Sequence, residues 1–216
     1  MKRIFLIMLA LLTTQCQATV GPDDVFWRWF QVHEAAYYAL DPGNIAQREP
    51  LFDALSIELT KVNPELTFEF GPVIDGRRDF VISAGGAKGA FPAVRGLVSH
   101  APALARWKVI AFRPRRSPVN TIQFQDVSLD PQNVLVQLTR DGDKVGLTVF
   151  MLGYTKERNT EFGQAAFLLL DEALGEFDVE TKVGFIEFKA LPQTITPRNT
   201  VPLSDLAPAF DLLNRQ

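Results

Sequence analysis

The chain has 216 residues, of which 47% are hydrophobic and 22% charged, a balance typical of an ordered globular protein. Its formal net charge of -3 provides no bulk attraction to nucleic acid or to an anionic membrane surface, so we predict no nucleic-acid partner. No internal repeat or low-complexity linker divides the chain, which predicts a single globular domain over residues 19–216.

The first 18 residues have the pattern of a secretory signal peptide. Lys2 and Arg3 precede an apolar run over residues 4–12, and small and polar residues follow it. We therefore predict cleavage after Ala18 and a periplasmic or secreted protein. The apolar run is shorter than the roughly 20 residues that a transmembrane helix needs, so we predict no integral membrane span.

Cys16 is the only cysteine of the chain. A lipoprotein signal also ends in cysteine, but it places a Leu-like residue three positions earlier and a small residue directly before, where this chain has Thr13 and Gln15. The pattern favours ordinary cleavage, and a lipid anchor at Cys16, which would hold the protein on the envelope, is the alternative. In either case residues 19–216 contain no thiol for a disulfide or a metal site.

Three helices and three strands are predicted in the first half of the chain. Apolar residues at helical spacing indicate a helix over about residues 23–40, and a second helix is predicted from Pro50 to Val62. The stretches "LTFEF" and "RRDFVIS" flank Asp75-Gly76, which indicates a hairpin. A helix follows the next, glycine-rich turn, and "WKVIAF" is apolar and β-branched enough for a central strand.

The second half begins with strands in "TIQFQDV", "NVLVQLT" and "KVGLTVFM", the last two joined by a hairpin at Asp141-Gly142. A helix over "EFGQAAFLLLDEAL" is closed by Gly175, a strand over "TKVGFIEF" follows, and Ser204 is predicted to cap a terminal helix. This irregular order predicts an α+β fold, with one mixed or mostly antiparallel sheet of about six or seven strands and helices mainly on one face.

Three stretches, "FVISAGG", "FPAVRGLVSHAPALARWKVIAFRPR" and "FLLLDEALGEFDVETKVGFIEF", resemble those of uncharacterised exported bacterial proteins with a domain of unknown function. The resemblance spans most of the chain after the predicted signal peptide. In such relatives an Asp-Gly turn often follows the strand where this chain has Gly85-Gly86. The resemblance implies a class of protein and brings no catalytic residue with it.

The glycine-rich turn in "DFVISAGGAKGAFPAV" lies between a strand and a helix, where nucleotide enzymes bind phosphate. A P-loop has Ser or Thr after its lysine, whereas Lys88 is followed by Gly89 and Ala90. The glycine spacing also fails the dinucleotide pattern, and the preceding hairpin does not indicate a parallel crossover. We predict a structural connection and no cofactor.

No complete catalytic or metal-binding set is visible, so we predict no catalytic residue and no metal. The position four residues after His33 is Tyr37, and His100 is the only other histidine. We predict that His33 is a packed or partly buried structural residue, and Ser83 lacks the sequence of a nucleophile elbow. An acidic group at one helix end is predicted to be solvated; it comprises Asp171, Glu172, Glu176 and Asp178.

The predicted ligand-binding residues are basic, namely Arg113, Arg115 and Arg116 after the strand "WKVIAF" and Lys88 in the glycine-rich turn. Arginine suits bidentate contact with carboxylate or phosphate. The alternative is a solvated loop whose arginines form ion pairs with nearby acids.

The preferred hypothesis is a non-catalytic exported protein that binds a protein or an envelope component. One alternative is a hydrolase-type enzyme that uses dispersed carboxylates and arginines, and another is an immunity-like or inhibitor-like protein. The enzyme hypothesis expects Arg113, Arg115 and Arg116 to share a deep cleft with Glu69 and Asp79.

Overall fold

The computed structural model describes residues 21–41, 43–192, 197 and 199–215. The predicted signal peptide and Cys16 lie outside these residues. The described chain is a mixed α+β protein with six α-helices and nine strands, and the strands form three small sheets of three, two and four strands. The prediction of one sheet of six or seven strands is therefore wrong.

The N-terminal half, residues 21–112, contains three helices around one sheet. Its elements are α1 (Pro22–Tyr38), α2 (Ile45–Val62), β1 (Thr67–Ile74), β2 (Arg77–Ser83), α3 (Phe91–Ser99) and β3 (Trp107–Ala111). The sheet order is β1-β2-β3, with β1 antiparallel and β3 parallel to β2. Two predictions are thus corrected: β3 is an edge strand, and a parallel crossover through α3 does follow the β1-β2 hairpin.

Local sequence explains the boundaries of several of these elements. Asp75 and Gly76 both have positive φ, 49° and 72°, as the predicted two-residue hairpin requires. Helix α2 begins five residues before the predicted start, because the Asn44 side chain accepts a hydrogen bond from the Gln47 backbone N–H at 3.2 Å. Pro50 consequently lies inside the helix and not in its first turn.

Aromatic side chains fill the core of the N-terminal half. The rings of Phe30 and Phe80 stack with centroids 4.7 Å apart, and Trp107 meets Phe30 edge-on at 5.3 Å. All three are at least 98% buried. The apolar face of α1 predicted from its spacing therefore packs on one face of the β1-β2-β3 sheet.

The C-terminal half, residues 113–215, has a separate core between a four-stranded sheet and two helices. Its elements are β4 (Ile122–Phe124), β5 (Val127–Leu129), β6 (Leu135–Asp141), β7 (Lys144–Met151), α4 (Asn159–Leu174), α5 (Glu176–Lys182), β8 (Val183–Ala190), β9 (Thr200–Pro202) and α6 (Leu206–Asn214). The sheet order is β8-β7-β6-β9, and β4 and β5 form a separate hairpin. Buried residues such as Leu147, Leu170 and Phe210 belong to this core.

Several elements of the C-terminal half differ from prediction. The stretch "TIQFQDV" is not one strand, because Gln125 has a φ of 53° and turns the chain back between β4 and β5. Helix α5 and strand β9 were not predicted. Ser204 does not cap α6, since Asp205 stands at that position and the buried Ser204 hydroxyl has no hydrogen-bond partner. Gly175 does end α4, with a φ of 80°.

Candidate functional site

The candidate site is a cleft on the second face of the β1-β2-β3 sheet. Because side chains alternate between the two faces of a strand, residues next to the core-facing Phe80 point away from the aromatic core. Asp79 on β2 is the Cα partner of Lys108 on β3, and Val81 is the partner of Ile110. The chain leaves β3 and passes over this face, so the second half of the molecule forms the opposite wall.

Two adjoining cavities lie in this cleft. The first cavity has a volume of 530 Å³ and is lined by Asp79, Lys108 and Ile110 on the sheet and by Asn120 and residues 114–118 of the crossing segment. The second cavity has a volume of 180 Å³, and Glu69, Arg113, Asp171 and Glu172 supply its charged groups together with Arg116. Pro114 and Arg116 line both cavities.

The predicted residue Arg113 joins the two halves through ion pairs. Its Nε donates to Glu69 of β1, and its Nη1 lies 3.4 Å from Asp171 Oδ2 of α4. Burial lowers the pKa of Arg113, but the hydrogen bond and the charge of Glu69, with the charges of Glu176 and Asp171, outweigh burial and raise it. The guanidinium therefore stays charged, and its partners belong to the same chain.

Arg115 and Arg116 are also engaged by acids. Arg115 donates to both carboxylate oxygens of Asp211 at 2.9 Å and to Asp178 at 2.6 Å. Its hydrogen bonds lower the pKa of Asp211, so that ion pair persists well below neutral pH. Arg116 Nε lies 2.8 Å from Glu172 Oε1. The crossing segment is thus fastened to α4, α5 and α6 by its arginines.

Lys88, the fourth predicted residue, lies away from both cavities. Its ammonium group is 3.4 Å from Glu180 Oε2 of α5, and more than half of its side chain is exposed. The structure therefore brings the three arginines to the cleft and leaves Lys88 outside it.

Glu176 is the residue in this region that departs furthest from its sequence-based expectation. It is fully buried, and its Oε1 accepts the backbone N–H groups of Ala84 and Gly86 at 3.0 and 3.2 Å. Its Oε2 accepts the N–H of Arg113 at 3.1 Å. The glycine-rich turn resembles a phosphate-binding turn in sequence, and it does bind an anion. That anion is the side-chain carboxylate of Glu176 from the same chain.

The predicted solvation of the acidic group is accordingly wrong. Glu176 is 0% exposed, and the side chains of Asp171, Glu172 and Asp178 retain less than 20% of their exposure. The reason is that the arginine-bearing segment lies over the end of α4 and the start of α5, a long-range contact. The sequence does contain a signal for this pairing. The acidic group and the three arginines Arg113, Arg115 and Arg116 are each concentrated in a short stretch, and their opposite charges can neutralise each other.

Asp171 is the titratable group most altered by its surroundings. Burial raises its pKa to about 7, the charges of Glu176 and Glu180 act in the same direction, and Arg113 opposes them. The Asp171 side chain also lines a third cavity of 330 Å³ beside Gly85. A carboxyl group that titrates near neutral pH and reaches a cavity can exchange a proton with a bound molecule.

Asp79 and Lys108 differ from the other charged groups of the first cavity, because their side chains form no ion pair or hydrogen bond with a described residue. Gly71 stands beside Asp79 on the neighbouring strand, and a Cβ there would lie 3.1 Å from the Asp79 Cβ. The glycine therefore leaves space for the Asp79 side chain. An acid and a base that pair with no residue of the described chain thus stand side by side in the cavity, the acid half-buried and the base exposed.

The remaining sequence candidates form no second site. His33 stacks on Trp29 with ring centroids 4.6 Å apart, so it is packed as predicted, but it is exposed and not partly buried. Ser83 is fully buried, and its hydroxyl accepts a hydrogen bond from the Gly85 N–H at 3.0 Å. Across the described ranges, no three His, Asp or Glu side chains are grouped so that they could hold a metal ion.

Comparisons with known proteins found no matching family model, no matching curated protein and no matching solved structure. Among the helices of the described chain, none is both long enough and apolar enough to cross a membrane.

Proposed function

We propose that this protein is a non-catalytic binding protein, exported to the periplasm or beyond, that holds part of a protein or an envelope component in the first cavity. The observation that carries the proposal is the pair of charges Asp79 and Lys108, which line a 530 Å³ cavity and have no ion-pair or hydrogen-bond partner among the described residues. This volume lies within the range of about 300–1,000 Å³ typical of ligand sites.

The sheet beneath the cavity supports a binding role because it is rigid. Asp79 is the third residue of β2 and Lys108 the second residue of the edge strand β3, and the other face of these hydrogen-bonded strands carries the aromatic core. Side chains on such a scaffold lose little freedom when a ligand binds, which favours affinity. The arginines of the opposite wall are held by carboxylates, so the wall keeps its shape and Arg116 need not rearrange to form the site.

Binding in the first cavity is tested by thermal unfolding of the mature protein with a panel of amino acids, short peptides and envelope fragments. We expect at least one compound to raise the melting temperature of the wild type, because a ligand at 100 times its Kd adds about 2.7 kcal/mol of stability. The variant D79A/K108A should lose this rise. The matched control D143A/K156A, which changes two exposed charges outside the cavities, should keep it. An equal rise in both variants would place the ligand elsewhere.

The location is tested by expressing the full chain with a C-terminal tag and measuring the mass of the purified protein. We expect a chain that begins at Thr19 and is found in the periplasm or the medium. A lipid anchor would instead give an acylated chain that begins at Cys16 and stays with the membranes. A chain that retains residues 1–18 in the cytoplasm would contradict export.

A hydrolase-type enzyme is the second candidate function, and Asp171 is the observation that favours it. Its pKa of about 7 suits a general acid or base, and Arg113 and Glu69 line the same cavity. The two functions separate in the variant D171N. A binding protein keeps its ligand in D171N and releases it unchanged, whereas an enzyme converts the compound and loses turnover in this variant.

A further inference from the structure

We propose that the first cavity recognises an α-amino acid zwitterion, with Asp79 binding the ammonium group and Lys108 the carboxylate. This inference rests on the proposed function, because it names the class of ligand for the same cavity. It concerns the free amino acid or the free end of an amino acid that is linked through its side chain, since the two present the same pair of charges.

The spacing of the two residues supports this class of ligand. Asp79 and Lys108 are Cα partners on adjacent parallel strands, which lie about 4.8 Å apart, and their side chains leave the same face of the sheet. They do not pair with each other. An α-amino acid has its ammonium and carboxylate groups bonded to the same carbon atom, so it can contact both residues at once.

Ligands with a single charge fit the pair less well. An anion on Lys108 would lie within a few ångströms of the Asp79 carboxylate, and a cation on Asp79 would lie close to the Lys108 ammonium. Either arrangement brings like charges close together, and water screens the half-buried Asp79 carboxylate less than it would in bulk solution. A zwitterion instead places an opposite charge against each residue.

The other groups of the cavity are consistent with this assignment. Arg115 and Arg116, the other charged residues of the lining, are already paired with Asp178, Asp211 and Glu172. The Asn120 amide donates to Glu172 Oε2 at 2.9 Å. An apolar surface for the ligand's side chain remains, and it is formed by Ile110, Pro114 and Pro118.

The inference is tested by calorimetric titration of the mature protein with leucine, N-acetylleucine, leucinamide and Nε-acetyllysine. We expect leucine to bind at least about tenfold more tightly than N-acetylleucine, which lacks the ammonium group, and leucinamide, which lacks the carboxylate. Tighter binding of Nε-acetyllysine than of leucine would identify the side-chain-linked form as the ligand, and the reverse would identify the free amino acid.

Variants assign each charge to its partner. D79N should abolish the preference for leucine over N-acetylleucine, and K108M should abolish the preference for leucine over leucinamide. The exchanged variant D79K/K108D should recover part of the leucine affinity, because leucine can bind in the opposite orientation, with its carboxylate at position 79 and its ammonium group at position 108. Melting temperatures of the three variants, compared with that of the wild type, show that each is folded.

Two results would overturn the inference. The first is equal affinity for leucine and N-acetylleucine, and the second is no binding of any of the four probes up to about 10 mM, a Kd that corresponds to about -2.7 kcal/mol. Neither result decides the proposed function, which fails only if no compound of the wider panel shows binding that depends on Asp79 and Lys108.

Discussion

At the scale of single residues, Glu176 takes the place that a bound phosphate would have on a turn that resembles a phosphate-binding loop. A buried carboxylate is stable only when hydrogen bonds replace the water that it loses. Three backbone N–H groups do so here, those of Ala84, Gly86 and Arg113. An external phosphate on this turn would have to displace Glu176 into the core, which makes such a site unfavourable.

Asp171 provides a prediction for the dependence of stability on pH. Its pKa is about 7 in the folded protein and lies near its ordinary value of 3.8 once the chain unfolds, because unfolding removes the burial that raises it. Between these values the folded state binds a proton that the unfolded state does not, so stability falls as pH rises from about 4 to about 7. The loss is complete by about pH 8, and the difference between the two pKa values corresponds to roughly 4 kcal/mol.

The prediction is measured by urea unfolding of the wild type and of D171N across this range. The side-chain amide that D171N introduces cannot ionise, so the free energy of unfolding of this variant should lack the decrease. The difference between the two proteins isolates Asp171 from other titrating groups. The same Asp→Asn change at the exposed Asp143 serves as the control. Parallel pH profiles for the wild type and D171N would contradict the raised pKa.

At the scale of elements, the sequence predicted those helices and turns whose conformation depends on neighbouring residues of the chain. Both hairpins were found, because Asp75-Gly76 and Gly142 supply the positive φ values that such turns need. The second turn is Gly142-Asp143, one residue later than predicted, since Asp141 still pairs with Lys144. The long helix α4 was found from its apolar residues. Short elements such as β9 and α5 were missed, because tertiary contacts and not their own sequence hold them in place.

The pairing of strands and of charged side chains could not be predicted from the sequence, because it too depends on tertiary contacts. The strands divide between two cores, one within residues 26–112 and one within residues 127–210, and no periodicity reports which strands meet. In the candidate site, the sequence singled out Arg113, Arg115 and Arg116. It could not show that acids of α4 to α6 neutralise them, or that no residue of the described ranges pairs with Asp79 or Lys108 beside them.

At the scale of the whole molecule, the contacts between the two halves couple their stability. Phe177 of α5 packs on Phe112 with ring centroids 5.3 Å apart, and Phe112 packs on Phe91 at 4.5 Å. Glu176 adds its hydrogen bonds to the glycine-rich turn of the other half. Because one apolar cluster and one buried carboxylate hold the same junction, we expect both halves to unfold together.

The two halves can be observed separately, since Trp27, Trp29 and Trp107 all lie in the N-terminal half, whereas circular dichroism reports helices and strands of both. We expect the two signals to give one coincident urea transition for the wild type. In E176Q the new amide N–H₂ cannot accept all the N–H groups that the carboxylate accepts, so we expect a loss of about 3 kcal/mol. The control E180Q removes the partly exposed ion pair with Lys88 and also a charge that repels Asp171, so it should cost less than about 1 kcal/mol. Separate transitions in the wild type, or equal losses in the two variants, would show that the junction does not couple the halves.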